Sequence, residues 1–104
     1  MKTPFKIAPA LVKRMEELGF LVPTPIQLHA WKFLIDKHQD YVGQAHTGSG
    51  KTVAYGVPLL QRIDPKDKDV QAVVLVPTRE LVNQTTKALF RLSKYQEKFF
   101  IDQT

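Results

Sequence analysis

The stretch that decides how this chain is read is Ala45-His46-Thr47-Gly48-Ser49-Gly50-Lys51-Thr52. Gly48 and Gly50 let the backbone curl until successive N–H groups converge, the geometry that cradles phosphate oxygens. Lys51 then supplies an ammonium for β- and γ-phosphates, and Thr52 a hydroxyl for Mg2+. Upstream, Tyr41, Val42 and Ala45 alternate with smaller or polar residues, as a short buried strand would. Downstream, Val53 to Ile63 suits a helix, whose start near Lys51 turns the positive end of its dipole toward an anion. Strand, glycine turn, Lys-Thr and helix together describe a phosphate-binding loop, with Ala45 replacing the glycine that opens the general G-x-x-x-x-G-K-[ST] pattern. A glycine-rich turn that merely joins a strand to a helix is the alternative these residues leave open.

Working outward toward the amino terminus, Thr24-Pro25-Ile26-Gln27 opens a helix. Thr24 is a good N-cap, Pro25 suits the first helical position, and Gln27 completes a Thr-x-x-Gln capping box. Ile26, Ala30 and Leu34, flanked by Trp31 and Phe33, give that helix a broad apolar face ending around Asp36 to His38. Further back, Pro9 starts another helix, with Leu11, Met15 and Leu18 at i, i+4 and i+7 and Val12 widening the stripe. Gly19 ends it in a left-handed cap, and Phe20-Leu21-Val22-Pro23 connects the two helices.

Toward the carboxyl terminus, Val57, Leu60 and Ile63 carry the apolar face of the helix after Lys51, and Pro58 is expected to bend it. Asp64 to Asp69 is a solvated loop of alternating charge. Ala72-Val73-Val74-Leu75-Val76 is a continuous apolar run, the pattern of a parallel strand covered on both faces. Pro77 stops it and Thr78 caps a helix running to about Ser93, with Leu81, Thr85, Leu89 and Leu92 inward. Phe99-Phe100-Ile101 reads as a last strand. Strands alternating with helices give an α/β domain with a parallel sheet and right-handed crossovers, preceded by two helices. Ligands of such sheets bind beyond the carboxyl ends of the strands, so Ala45–Thr52 and Pro77–Glu80 are expected to share a face. Residues 1–38 form the helical segment and 39–104 the nucleotide-binding core, one domain in all.

The chain has 104 residues, 43% hydrophobic and 24% charged, the make-up of a small globular domain. It has no cysteine, which excludes disulfides and thiolate metal sites and fits a reducing cytoplasm, the expected location. Met1 to Pro9 does not read as a signal peptide, and no stretch approaches the ~20 apolar residues of a membrane span. A formal charge of +5 permits a polyanionic partner, although solvated lysines explain it equally well.

Taken in order, Gly19 to Gln27, Ala45 to Thr52 and Pro77-Thr78-Arg79-Glu80-Leu81-Val82 resemble the Q motif, motif I and motif Ia of DEAD-box ATP-dependent RNA helicases. Ala commonly replaces the first glycine of motif I in that family. The resemblance implies a partial RecA-like (P-loop NTPase) domain. It implies ATP bound through Thr47, Gly48, Ser49, Gly50, Lys51 and Thr52, with Lys51 and Thr52 serving catalysis and Thr52 holding Mg2+. Gln27 takes the family's adenine-reading role. A glutamine amide offers a donor and an acceptor together, matching the N6–N7 edge of adenine and not that of guanine. The capping box is its other reading, and the two roles can coexist. Phe5 and Phe20 are the candidate rings against the base, with plain core packing as the alternative for each. Here Leu21 and Val22 stand where the family usually carries charges, and Phe5 lies closer to Gln27 than the upstream aromatic usually does.

Motif Ia implies contact of Pro77, Thr78 and Arg79 with the RNA backbone. A helix N-terminus beside a forked guanidinium suits phosphate and reads no sequence. Alternatively, Arg79 pairs with Glu80 and Thr78 only caps. No Asp-Glu-Ala-Asp, Ser-Ala-Thr motif or second RecA-like domain follows within these residues. The remainder of the helicase core is therefore expected in the parent protein, and this chain alone is expected not to hydrolyse ATP. In the family, strands bearing the two missing motifs lie between those of motif I and motif Ia, so exposed strand edges are expected. A DNA-directed superfamily 2 ATPase and a non-catalytic nucleotide-binding or interaction module are the competing readings.

Overall fold

Each helix of the computed structural model, which describes residues 3–45, 50–99 and 101–103, starts at a signal visible in the sequence. α1 spans Pro9–Glu17 with proline in its first turn and Leu11 and Met15 buried. Gly19, at φ +89°, closes it. The Phe20 N–H reaches back to the Met15 carbonyl at 2.8 Å and the Gly19 N–H to Glu16 at 3.1 Å, the paired bonds of a Schellman cap. α2 spans Pro25–Trp31 and has the full Thr24–Gln27 capping box. It runs on into a π-helical turn, Lys32–Asp36. α3 spans Lys51–Arg62 and contains Pro58. α4 spans Arg79–Leu92, and Thr78 accepts from the Leu81 N–H.

The helices meet in a core of Leu11, Met15, Trp31, Val53, Val57, Leu60, Leu89 and Leu92. Gly56 sets the approach of α3 to α4: a Cβ there would lie 3.1 Å from Leu89 and 3.3 Å from Leu92. Pro58 has no N–H, so the Ala54 carbonyl one turn earlier loses its intrahelical donor. The buried Trp31 indole supplies one from α2 at 3.0 Å. At the other end of α3, Gln61 accepts from the Ala8 N–H at 2.7 Å and donates to the Lys6 carbonyl at 3.2 Å. α1 is tied to the end of α4 by Arg14 donating to the Arg91 carbonyl and by the Tyr95 hydroxyl donating to Glu17 at 2.6 Å.

The expected parallel sheet is not present among the described residues, where no strand is formed at 41–45, at 72–76, or at Phe99 and Ile101; Phe100, the middle of the expected last strand, lies outside the described residues. A strand exists through its ladder partners, and these stretches find none in one another. Val42 is 98% exposed and Leu75 90%, so the apolar run read as a doubly covered strand lies open to solvent. With no strand formed, the exposed strand edges expected here are not observed either; what is exposed is an extended apolar run. Leu81, expected inward, is also exposed. The covered face of α4 runs instead through the half-buried Val82 and Thr85 to the buried Leu89 and Leu92.

Candidate nucleotide-binding site

The site is organised at the junction of α2 and α3. Gly50 occupies the N-cap of α3 at φ +88° and ψ +28°, a left-handed conformation that L side chains rarely adopt. Having no side chain, it brings no cap of its own to the first-turn N–H groups, which can therefore face an anion. Lys51, the first helical residue, is exposed, and Thr52 is half-buried behind it. Ala45 is half-buried at the other end of the loop. The expected phosphate ligands Thr47, Gly48 and Ser49, and His46 with them, lie outside the described residues.

Gln27 is buried at 1% exposure. Its Oε1 accepts from the Thr24 N–H at 3.0 Å, its own N–H donates to Thr24 Oγ1 at 3.4 Å, and its Nε2 donates to the Gly50 carbonyl at 3.3 Å. The capping box and Gly50, at the head of α3, thus share one amide. A Cβ on Gly50 would collide with Gln27 Nε2 and lie 3.3 Å from Thr24 Oγ1. Glycine is required there by conformation and by space alike. One lone pair on Oε1 and one Nε2 hydrogen remain beyond these bonds.

Phe5 and Phe20 are half-buried and both pack on the core. The Phe5 ring meets Trp31 edge-on, with centroids 6.0 Å apart at 79°. Along the exposed side of α2, the Phe33 ring stacks on Tyr41 at 5.6 Å, and His29 bonds the Tyr41 hydroxyl at 2.7 Å. The Tyr41 ring folds over Gly43, and a Cβ there would have to displace it.

At the second motif, Pro77, Thr78, Arg79 and Glu80 are all exposed. Thr78 Oγ1 accepts from the Leu81 N–H at 3.2 Å, so the capping role is realised. Among the described residues no ion pair joins Arg79 to Glu80. None of the described hydrogen bonds joins this helix end to Gly50, Lys51 or Thr52. The clear pKa shifts lie instead at the α1–α4 contact. There the Tyr95 hydroxyl holds the Glu17 carboxyl below its usual range, and Glu17 in turn pushes the Tyr95 phenol up.

Sequence reasoning missed Trp31 as more than an apolar face residue. Half of the signal was visible, since a proline four residues after Ala54 leaves that carbonyl without a donor. Which side chain supplies the donor depends on packing between residues far apart in the chain. No cluster of three or more His or acidic side chains suited to a metal lies among the described residues. Nor is any described helix long and apolar enough to cross a membrane.

A capped glutamine helix bonded to the glycine that opens α3 is thus what the described residues build of the candidate site, and the class of protein follows from its relatives, a family of helicases. The family model for DEAD/DEAH box helicases matches residues 24–103. The DEAD-box ATP-dependent RNA helicase CshA of Bacillus subtilis is 38% identical over 90 residues, covering 86% of this chain and 18% of that protein. The ATP-dependent RNA helicase DBP9 of Meyerozyma guilliermondii is 40% identical over 94 residues, covering 88% of this chain and 16% of that protein. Among solved structures, Saccharomyces cerevisiae Dbp5 bound to RNA and ADP BeF3 superposes with a TM-score of 0.81 at 33% identity, over 88% of this chain and 24% of that one. Prp28 of Chaetomium thermophilum bound to ADP gives 0.80 at 32% identity, over 91% of this chain and 24% of that one. The chain belongs to the DEAD/DEAH box helicase family. It spans less than a fifth of the length of these curated relatives, and it corresponds to the amino-terminal part of the helicase core.

Proposed function

We propose that this chain is the ATP-binding portion of an ATP-dependent DEAD-box RNA helicase, and that the whole protein separates or remodels RNA strands. The observation that carries this reading is the bond from Gln27 Nε2 to the Gly50 carbonyl, which places a donor–acceptor amide against the phosphate loop. Lys51 and the open N–H groups of α3 then hold β- and γ-phosphates, with Thr47, Gly48 and Ser49 completing the cradle. Thr52 would hold Mg2+ through its hydroxyl, and one hydroxyl is an adequate protein contribution for that ion. The metal would neutralise charge on the transferring phosphoryl group. Gln27 selects adenine through its remaining donor and acceptor, and Phe5, with Phe20 as the second candidate, lies against the base.

RNA phosphates are held by the N-terminus of α4 and by Arg79, with Pro77 and Thr78 fixing the approach. The relatives' names and the RNA and nucleotide in the Dbp5 structure support this assignment. In the whole protein, residues 72–76 would form a strand of the RecA-like parallel sheet. The chain alone should bind ATP without hydrolysing it appreciably. It holds no Asp-Glu-Ala-Asp segment and no second domain to contribute arginines to the transition state. The test is titration with a fluorescent ATP analogue, with GTP as competitor. ATP should displace the probe more effectively than GTP, and Lys51→Ala should abolish binding while leaving the melting curve in place. Equal displacement by ATP and GTP would remove the Gln27 assignment, and undiminished binding by Lys51→Ala would remove the phosphate loop.

A further inference from the structure

We propose that Trp31 is a positioning residue for the nucleotide site, acting as the second of two rungs that lock α2 to α3. The first rung is the bond from Gln27 Nε2 to the Gly50 carbonyl, and the second is the bond from Trp31 Nε1 to the Ala54 carbonyl at 3.0 Å. Gln27 and Trp31 are one turn apart on α2, and Gly50 and Ala54 are one turn apart across the start of α3. The rungs are therefore in register and fix both the separation and the rotation of one helix against the other. The second rung exists because Pro58 removes the N–H that would otherwise occupy the Ala54 carbonyl. That carbonyl is buried with the indole, so without Trp31 it would be an unsatisfied acceptor, and the local structure would shift to satisfy it.

The same ring also carries Phe5, edge-on at 6.0 Å. One fully buried side chain thus sets the phosphate-loop helix, the turn bearing Gln27 and the candidate stacking ring relative to one another. Its specificity role rests on the base-reading role proposed for Gln27; the rung itself does not.

The substitutions Trp31→Phe and Pro58→Ala, alone and together, test this in the full 104-residue chain. Trp31→Phe keeps an aromatic ring and loses the donor. Pro58→Ala returns an N–H to the Ala54 carbonyl. Denaturant unfolding should show Trp31→Phe lowering the folding constant about tenfold with Pro58 present, a cost of about 1.4 kcal/mol. In the Pro58→Ala background the loss should be less than about threefold, because the carbonyl then has its helical partner. Equal losses in both backgrounds would overturn the rung. Nucleotide competition reads the positioning role, which a merely structural residue would not move: Trp31→Phe should narrow the preference for ATP over GTP by at least about fivefold, measured where the protein is fully folded. An unchanged preference overturns the positioning role even if the rung stands. A wild-type chain with no preference removes the base reader and the specificity role together, while the unfolding cycle still decides the rung.

Discussion

The junction of α2 with α3 and the segment from Val70 to Arg79 each carry a sequence motif, yet they are built in opposite ways. At the junction, Gln27 is 1% exposed and Trp31 fully buried, and both donate to carbonyls of α3 or its cap. In the second region, Val70 is 84% exposed and Leu75 90%, and the helix end that follows is open to solvent. The first region is assembled from residues this chain packs for itself. The second is a well-capped helix end that follows an uncovered apolar run. Capping works within three residues and needs no neighbour, whereas a strand needs a second one beside it. The junction can therefore take shape from local capping and helix packing alone, whereas residues 70–76 lack the lateral partner that a strand requires.

Trp31→Ala should break the contrast most severely. It removes a large core ring and orphans a buried carbonyl, so denaturant unfolding should show a loss of about 3–5 kcal/mol. Gly50→Ala comes next. A side chain at its positive φ costs about 1–2 kcal/mol, and its Cβ would displace the Gln27 amide, so stability and ATP affinity should fall together. Thr78→Ala removes the cap of α4 and should cost about 1 kcal/mol by the same measurement. Leu75→Lys sharpens the comparison from the other side. A side chain already in water should change stability by no more than about 0.5 kcal/mol while raising solubility, and a larger loss would mean that 70–76 is covered in solution.

The smallest effect belongs to Glu17. Its carboxyl is held below the usual 4.5, chiefly by the Tyr95 hydroxyl. A group with a depressed folded pKa stabilises above its unfolded value and loses that contribution as pH falls through the folded one. An acid titration of the melting temperature should thus show a slight extra fall below that range, absent in Glu17→Gln.

What the sequence made legible follows from the same distinction. Pro9, the Thr24–Gln27 box, Gly19 and Thr78 act over a few residues, and the helices begin and end at them. Leu11 and Met15 are buried as their spacing implies. The π-turn at Lys32–Asp36, the open state of 72–76 and the outward position of Leu81 depend on surroundings that no local pattern specifies. At the site, the capping box was legible because its partners are three residues apart. The bond from Gln27 to Gly50 spans twenty-three residues, as does that from Trp31 to Ala54. Both are products of packing, and the motifs named their participants without pairing them.

The Gln61 amide has a mechanical consequence. By accepting from Ala8 and donating to Lys6, it does for the amino-terminal arm what a neighbouring peptide group would do. α3 is therefore a rod about 18 Å long, from its 1.5 Å rise per residue. Lys51 stands at its head and the arm bearing Phe5 is lashed to its tail. The helix runs unbroken through Pro58, with the Ala54 carbonyl satisfied by Trp31. Lys51 and the two bonds to the amino-terminal arm thus lie at opposite ends of one continuous helix, so the arm bearing Phe5 is registered to the same element that carries Lys51.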